Sequence, residues 1–431
     1  MKLASNMINS EGILAISEVR VTDLAKEYGT PLYVYDESLL KDTALSFLHA
    51  FQSNIFKTRI IYASKASSFI ALLQLYQKLG LSIDVVSEGE LYTALKAGVY
   101  PDNIIFHGNN KLDEELEMAI DSGVATIVLD NFDEAKRLSK ILEEKNRVVS
   151  VLLRVNPGVE AHTHDYIKTA TSDSKFGIGI KNGAALETLK AIHQLPFLQL
   201  KGIHSHIGSQ IFSSQSFIEA SKILLDFIEI CKDNDLDISI LNLGGGFGVY
   251  YTEEDTPFDI PEFLKKLSAI LEEELSIRKL KLEEVWLEPG RSLVNESGTT
   301  LYEIGDIKKI DNEANYAFIN GGMGDNLRVS LYGAKYEAVI ANRLNEASQA
   351  LWRVAGKYCE SGDVLLRDIP LANPQKRDIL AVLRTGAYTF SMFSNYNRLR
   401  RPAVVFVSNG VSRLVVKRES LDDLIALDME E

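Results

Sequence analysis

From about Arg59 to Glu288, short apolar runs rich in β-branched residues alternate with stretches of helical periodicity. The apolar runs fall at 60–63, 82–86, 104–107, 126–129, 149–155, 200–206, 238–243 and 284–288. Between them, Phe69, Leu72, Leu73 and Tyr76 recur at helical spacing, and Gly80 supplies a stop. Ser87 followed by Glu90 reads as a capping box, with Gly98 ending that helix. Asp113 starts another helix, closed near Gly123. Strand–helix alternation predicts a parallel sheet. About eight such units in about 230 residues match a (β/α)8 barrel of the TIM type, although an open doubly wound sheet satisfies the same count.

After Ser297 the helical period fades and strand-like runs dominate, at 301–307, 316–319, 379–383, 403–407 and 411–416. Asn409-Gly410 between the last two is a hairpin signal. Gly29, Thr30 and Pro31 form a turn ahead of the run at 32–35. The expected fold is therefore α/β: a barrel over residues 33–290, and a β-rich domain from residues 1–32 and 291–431.

Composition narrows the class. A chain of 431 residues, 46% hydrophobic and 25% charged, is long enough for two domains and too ordinary in charge for disorder. The net charge of -14 argues against nucleic acid as a partner, because an acidic surface repels phosphate backbones. Two cysteines, Cys231 and Cys359, do not make a disulfide framework, and a reducing, cytoplasmic location is expected. Residues 1–17 lack a basic start followed by an apolar core, and no apolar run approaches the roughly 18 residues of a membrane span.

Candidate chemistry collects at the ends of barrel strands, where barrel active sites lie. Lys65 follows the first strand. Alone it is a solvated loop residue; its amine could also bond a carbonyl cofactor. His204 and His206 share a face at the end of the sixth strand; they suit a structural role, stacking on an aromatic cofactor, or a metal for which the spacing shows no third ligand. Gly244-Gly245-Gly246-Phe247-Gly248 follows the seventh strand, as a tight turn or an anion cradle. Glu288-Pro289-Gly290-Arg291 closes the eighth, as a rim ion pair or as partners for a ring nitrogen and an anionic group. Four such motifs at strand ends favour a phosphate-bearing carbonyl cofactor and no metal.

At these residues the chain resembles the diaminopimelate decarboxylases, within the alanine-racemase-like group of pyridoxal-phosphate enzymes. The resemblance runs over roughly residues 20–425 and rests on Leu153-Arg154-Val155-Asn156-Pro157-Gly158, His162-Thr163-His164, Ser174-Lys175-Phe176-Gly177, His206-Ile207-Gly208-Ser209-Gln210, Glu288-Pro289-Gly290-Arg291 and Cys359-Glu360-Ser361-Gly362-Asp363. It implies that Lys65 holds pyridoxal 5'-phosphate through its amine and that His206 stacks on the ring. It implies that Ser209, Gly245 and Gly246 bind the phosphate, with Gly290 and Arg291 close by, and that Glu288 pairs with the ring nitrogen. Arg291, Arg328, Tyr332 and Glu360 match substrate-binding positions. Tyr388 matches a position touching cofactor and substrate, and Cys359 the proton donor.

The implied reaction removes carbon dioxide from meso-diaminopimelate to give L-lysine, the last step of lysine biosynthesis. The implied assembly is a homodimer in which Cys359 and Glu360 reach the partner's site. An ornithine- or lysine-type decarboxylase on the same fold, and a non-catalytic regulatory protein that binds the cofactor, are the alternatives. Ser64 and Ser67 stand where the family often has Val and Asn, Asn320 where it often has Asp, and Ala170 where Gly is frequent.

Overall fold

The structure, a computed structural model, describes residues 3–159 and 174–430. The chain divides into two compact units. One comprises Thr43–Val249 and Pro257–Ser292; the other comprises Met1–Asp42, Tyr250–Thr256 and Leu293–Glu431. The motif at residues 162–164 and position 170 lie outside the described residues.

The first unit is a closed parallel barrel. Its strands are β1 (Lys57–Ala63), β2 (Ser82–Val85), β3 (Ile104–Phe106), β4 (Thr126–Leu129), β5 (Val149–Asn156), β6 (Leu198–His204), β7 (Ile240–Asn242) and β8 (Glu284–Leu287). Each pairs in parallel with the next, as in the register Ile83↔Ile104 between β2 and β3. The last strand returns to the first, with Glu284 opposite Lys57 and Leu287 opposite Ile60. That pairing excludes the open sheet, which leaves two edges. Helices between the strands arise where the spacing predicts them, at Ile70–Lys78, Glu88–Lys96 and Asp113–Asp121. Ile61, Ile105, Val128, Leu152, Ile240 and Trp286, from six different strands, form one buried cluster, the packed interior a barrel of this size needs.

The capping box is only half formed. Ser87 Oγ accepts from the Glu90 N–H at 3.3 Å, as expected. The Glu90 carboxylate does not return to Ser87; it accepts from Val86 N–H at 2.9 Å and Ser64 Oγ–H at 3.0 Å. A residue readable as a cap is thus drawn toward the turn that carries Lys65.

The second unit is built on a nine-stranded mixed sheet. Strand Leu32–Asp36 lies between Gly298–Ile310, antiparallel with Leu301 opposite Leu32, and Ala403–Ser408, parallel with Ala403 opposite Leu32. The hairpin of Ala403–Ser408 and Val411–Val416 closes Ser408 onto Val411. Both turn residues, Asn409 (φ 49°) and Gly410 (φ 74°), are left-handed, as the two-residue turn that matches strand twist requires. Leu14, Val21, Val34, Leu301, Ala381 and Val405 belong to its core. Among the described residues no helix is long and apolar enough to cross a membrane.

Candidate active site

One end of the barrel collects ionisable side chains. Lys65 sits in a single helical turn, Ser64–Ala66, immediately after β1. Ser64 and Ala66 are buried while Lys65 is exposed. Its ammonium is close enough to act on buried Asp84, on half-buried Glu90 and on His206. Burial raises the pKa of Asp84 and of Glu90, and the charge on Lys65 partly offsets this in both.

Glu288, the residue after β8, is the centre of the cluster. Its Oε1 lies 2.8 Å from His107 Nε2 and accepts from Asn242 Nδ2 at 2.7 Å. His204 Nε2 lies 3.1 Å from Oε2 but is not aligned for a hydrogen bond. Burial alone would push this carboxyl up. His107, by charge and hydrogen bonding, and His204, by the charge it would carry, outweigh burial and hold Glu288 well below the usual range. It is therefore a buried anion. Burial pushes His204 down to about 4, against the pull of Glu288, so that ring is neutral near pH 7. His206 is also pushed well down, by burial and then by the charges of Lys65 and Arg154. The Gly245 N–H donates to His206 Nδ1 at 3.3 Å, which a neutral ring can accept.

The expected phosphate positions converge as well. Arg291 donates to Ser209 Oγ at 3.1 Å. A Cβ at Gly246 (φ 101°) would stand 2.0 Å from the carbonyl oxygen of Gly208, and one at Gly245 would stand 2.1 Å from that of Glu288. Only glycine lets these three segments meet. A Cβ on Gly290 would stand 3.0 Å from that of Ala63, beside the Lys65 turn. Thus Lys65, His206, Ser209, Gly245, Gly246, Glu288, Gly290 and Arg291 gather in the barrel unit.

Sequence reading missed Asp84, Glu90, His107, Arg154 and Asn242. Asp84, His107, Arg154 and Asn242 sit near or just past the C-terminal end of a barrel strand, the signal that would have found them, while Glu90 lies in the first turn of the helix Glu88–Lys96. It also paired His204 with His206. The structure instead brings His204 together with His107 and Glu288, their ligating atoms within 4.8 Å of one another.

The remaining expected residues lie in the second unit. Arg328 is buried at the start of the short helix Arg328–Tyr332, donates to Tyr336 Oη at 2.5 Å, and has its guanidinium 4.7 Å from the Tyr251 ring centroid. Tyr332 and Tyr388 are half-buried, and Tyr388 holds a left-handed backbone (φ 59°), uncommon for a non-glycine residue. Cys359 and Glu360 are exposed on a loop. The loop is tied down by Asp363, which accepts from Met323 N–H at 2.6 Å and Tyr358 N–H at 2.9 Å.

Residues 41–295 match the family model described as "Pyridoxal-dependent decarboxylase, pyridoxal binding domain". The chain is 48% identical to a diaminopimelate decarboxylase of Halalkalibacterium halodurans, over 99% of this chain and 97% of the relative. It is also 48% identical to one of Bacillus subtilis, over 98% and 96%. The chain belongs to the diaminopimelate decarboxylase family. A solved family member from M. jannaschii, in complex with L-lysine, superposes with a TM-score of 0.93 at 31% identity, covering 99% of this chain and 98% of that one. A lysine/ornithine decarboxylase from Vibrio vulnificus, at 21% identity and a TM-score of 0.74, shares the fold.

The cofactor of a pyridoxal-dependent decarboxylase family is pyridoxal phosphate, and the barrel residues fit it. An exposed amine, that of Lys65, stands within reach of the carboxyls of Asp84 and Glu90. A buried anion, Glu288, has one oxygen held by His107 and Asn242 and the other 3.1 Å from the unaligned His204 Nε2. Ser64, Ser67 and Asn320, which depart from the residues frequent in the family, each make a hydrogen bond. Ser64 bonds Glu90, Ser67 accepts from Tyr62 Oη at 2.8 Å, and Asn320 donates to Thr30 Oγ1 at 2.8 Å.

Proposed function

We propose that this protein decarboxylates meso-diaminopimelate to L-lysine and carbon dioxide, using pyridoxal phosphate held by the barrel. The full-length similarity to diaminopimelate decarboxylases carries this reading.

In this reading Lys65 holds the cofactor covalently through its amine, and His206 holds its ring. Ser209, Gly245, Gly246, Gly290 and Arg291 hold its phosphate, with Tyr388 completing the site. Bound there, the cofactor supplies a conjugated, protonated ring that absorbs the electron pair left behind as the carboxylate departs. Glu288, ionised and buried, holds the proton at the ring nitrogen. Cys359 delivers a proton to the α-carbon. Arg291, Arg328, Tyr332, Glu360 and Tyr388 orient the substrate. The far end of diaminopimelate carries both an ammonium and a carboxylate, for which Glu360 and the arginines offer the opposite charges. A substrate lacking the distal carboxylate leaves a buried arginine unmatched.

Cys359 and Glu360 stand exposed on a pinned loop. This supports a homodimer in which each copy completes the other's site. Two unpaired cysteines support a cytoplasmic location.

The test is carbon dioxide release from purified protein with added pyridoxal phosphate, on meso-diaminopimelate, lysine, ornithine and arginine. Release from diaminopimelate alone, with lysine formed, is expected. Release only from a simpler diamino acid would make it an ornithine- or lysine-type enzyme. Cofactor binding without release from any would make it a regulatory protein.

A further inference from the structure

A carboxylate that must keep a proton on a ring nitrogen needs both its charge and an oxygen free to face that nitrogen. Burial works against the first requirement, and free rotation of the Glu288 side chain would work against the second. The structure answers both with side chains from two other strands. Asn242, the last residue of β7, donates to Oε1 at 2.7 Å and accepts the Gly244 N–H at 2.9 Å, so its amide cannot flip without losing both bonds. His107, the first residue after β3, reaches the same Oε1 at 2.8 Å. An ionised carboxylate only accepts, so the proton of this bond sits on His107 Nε2. Two donors on one oxygen fix the torsion of the whole carboxylate. Among the described residues, His204 Nε2 lies 3.1 Å from the other oxygen and is not aligned to donate to it.

His107 is itself held. Its ring packs edge-to-face against His204, centroids 4.8 Å apart. The backbone that follows it is anchored by Lys111, which donates to Gly108 O at 2.7 Å and Val128 O at 2.8 Å and pairs with Glu134 at 2.6 Å. Nothing in this arrangement requires His107 to touch cofactor or substrate.

We propose that His107 and Asn242 are positioning residues that pin one oxygen of Glu288, keep the carboxylate ionised, and so leave its second oxygen for the protonated ring nitrogen of the cofactor. The inference rests on the cofactor role given to Glu288 above, and its deciding readout, the ring-nitrogen signal, needs no turnover.

The experiment loads the full-length protein with cofactor isotopically labelled at its ring nitrogen and follows that nitrogen by NMR, alongside cofactor affinity, kcat and KM. Two variants are crossed. His107→Phe keeps the ring that packs on His204 and removes the donor. His107→Gln keeps a donor and removes the ring. Positioning predicts that His107→Phe moves the nitrogen signal toward the unprotonated form, lowers cofactor affinity about 10-fold or more, and lowers kcat with little change in KM. His107→Gln stays near wild type. A His107→Phe protein with the wild-type nitrogen signal overturns the inference. Loss in His107→Gln with retention in His107→Phe overturns it too, and makes His107 a packing residue. If His107→Phe fails to fold, Asn242→Leu repeats the test on the other donor. A wild-type protein that binds cofactor but releases no carbon dioxide would sink the functional reading, while the nitrogen signal would still decide the role of His107.

Discussion

At the scale of single residues, two buried charges set the sharpest expectations. Arg328 is buried against Tyr336 and Tyr251, so losing its guanidinium leaves any carboxylate it binds without a partner. Arg328→Ala is expected to lower kcat/KM for diaminopimelate by at least about 100-fold, from the cost of a broken buried ion pair. Unchanged kinetics would remove Arg328 from substrate binding. Asp325 is the opposite case, a carboxyl whose burial pushes it up to about 7. Its folded pKa exceeds its unfolded one, so its contribution to stability is complete below about pH 4 and is lost as pH rises through about 7. Asp325→Asn keeps an oxygen to accept from Gly322 N–H, a bond of 2.9 Å in the native chain. It is expected to remove up to about 4 kcal/mol of that pH dependence. Melting curves near pH 5 and pH 8 that fall as steeply in the variant as in the native chain would contradict this.

At the scale of elements, the loop after β3 depends on one ion pair. Lys111 and Glu134 are each about 1% exposed. Lys111→Ala is expected to destabilise the protein by about 3–5 kcal/mol, since it strands a buried carboxylate. Chemical denaturation of the variant, with cofactor affinity measured in parallel, checks this. A loss under about 1 kcal/mol would mean that Glu134 takes up a proton without cost.

Elements were also where the sequence was most legible. The eight apolar runs and the Asn409-Gly410 turn were readable because burial and backbone handedness constrain residue types locally. The Glu90 carboxylate was not, because its partner Ser64 is remote in sequence and a local cap looked sufficient. His107 was hidden for a similar reason. Nothing near it in sequence shows that Glu288, 181 residues away, accepts its hydrogen bond. Barrel closure creates that contact, and the strand-end rule alone points to it.

At the scale of the whole molecule, the proposed homodimer makes a strong prediction. Lys65 and Cys359 would come to one site from different copies. Separately inactive Lys65→Ala and Cys359→Ala proteins, unfolded together and refolded, should then recover about a quarter of native activity. Half of the dimers are mixed, and each mixed dimer has one intact site of two. No recovery, with mixed dimers shown to form, would place both groups in one chain.

The glycines at the barrel mouth carry a consequence for how variation in this family is to be read. Gly245 and Gly246 admit no side chain because the backbones of Glu288 and Gly208 already occupy the space. A library screened for growth without added lysine would be blank at both positions. The same blanks would persist in a screen for folded protein that never asks about growth. Intolerance there is a signature of architecture, and ligand contacts are better sought at positions such as Ser209, where the two screens diverge.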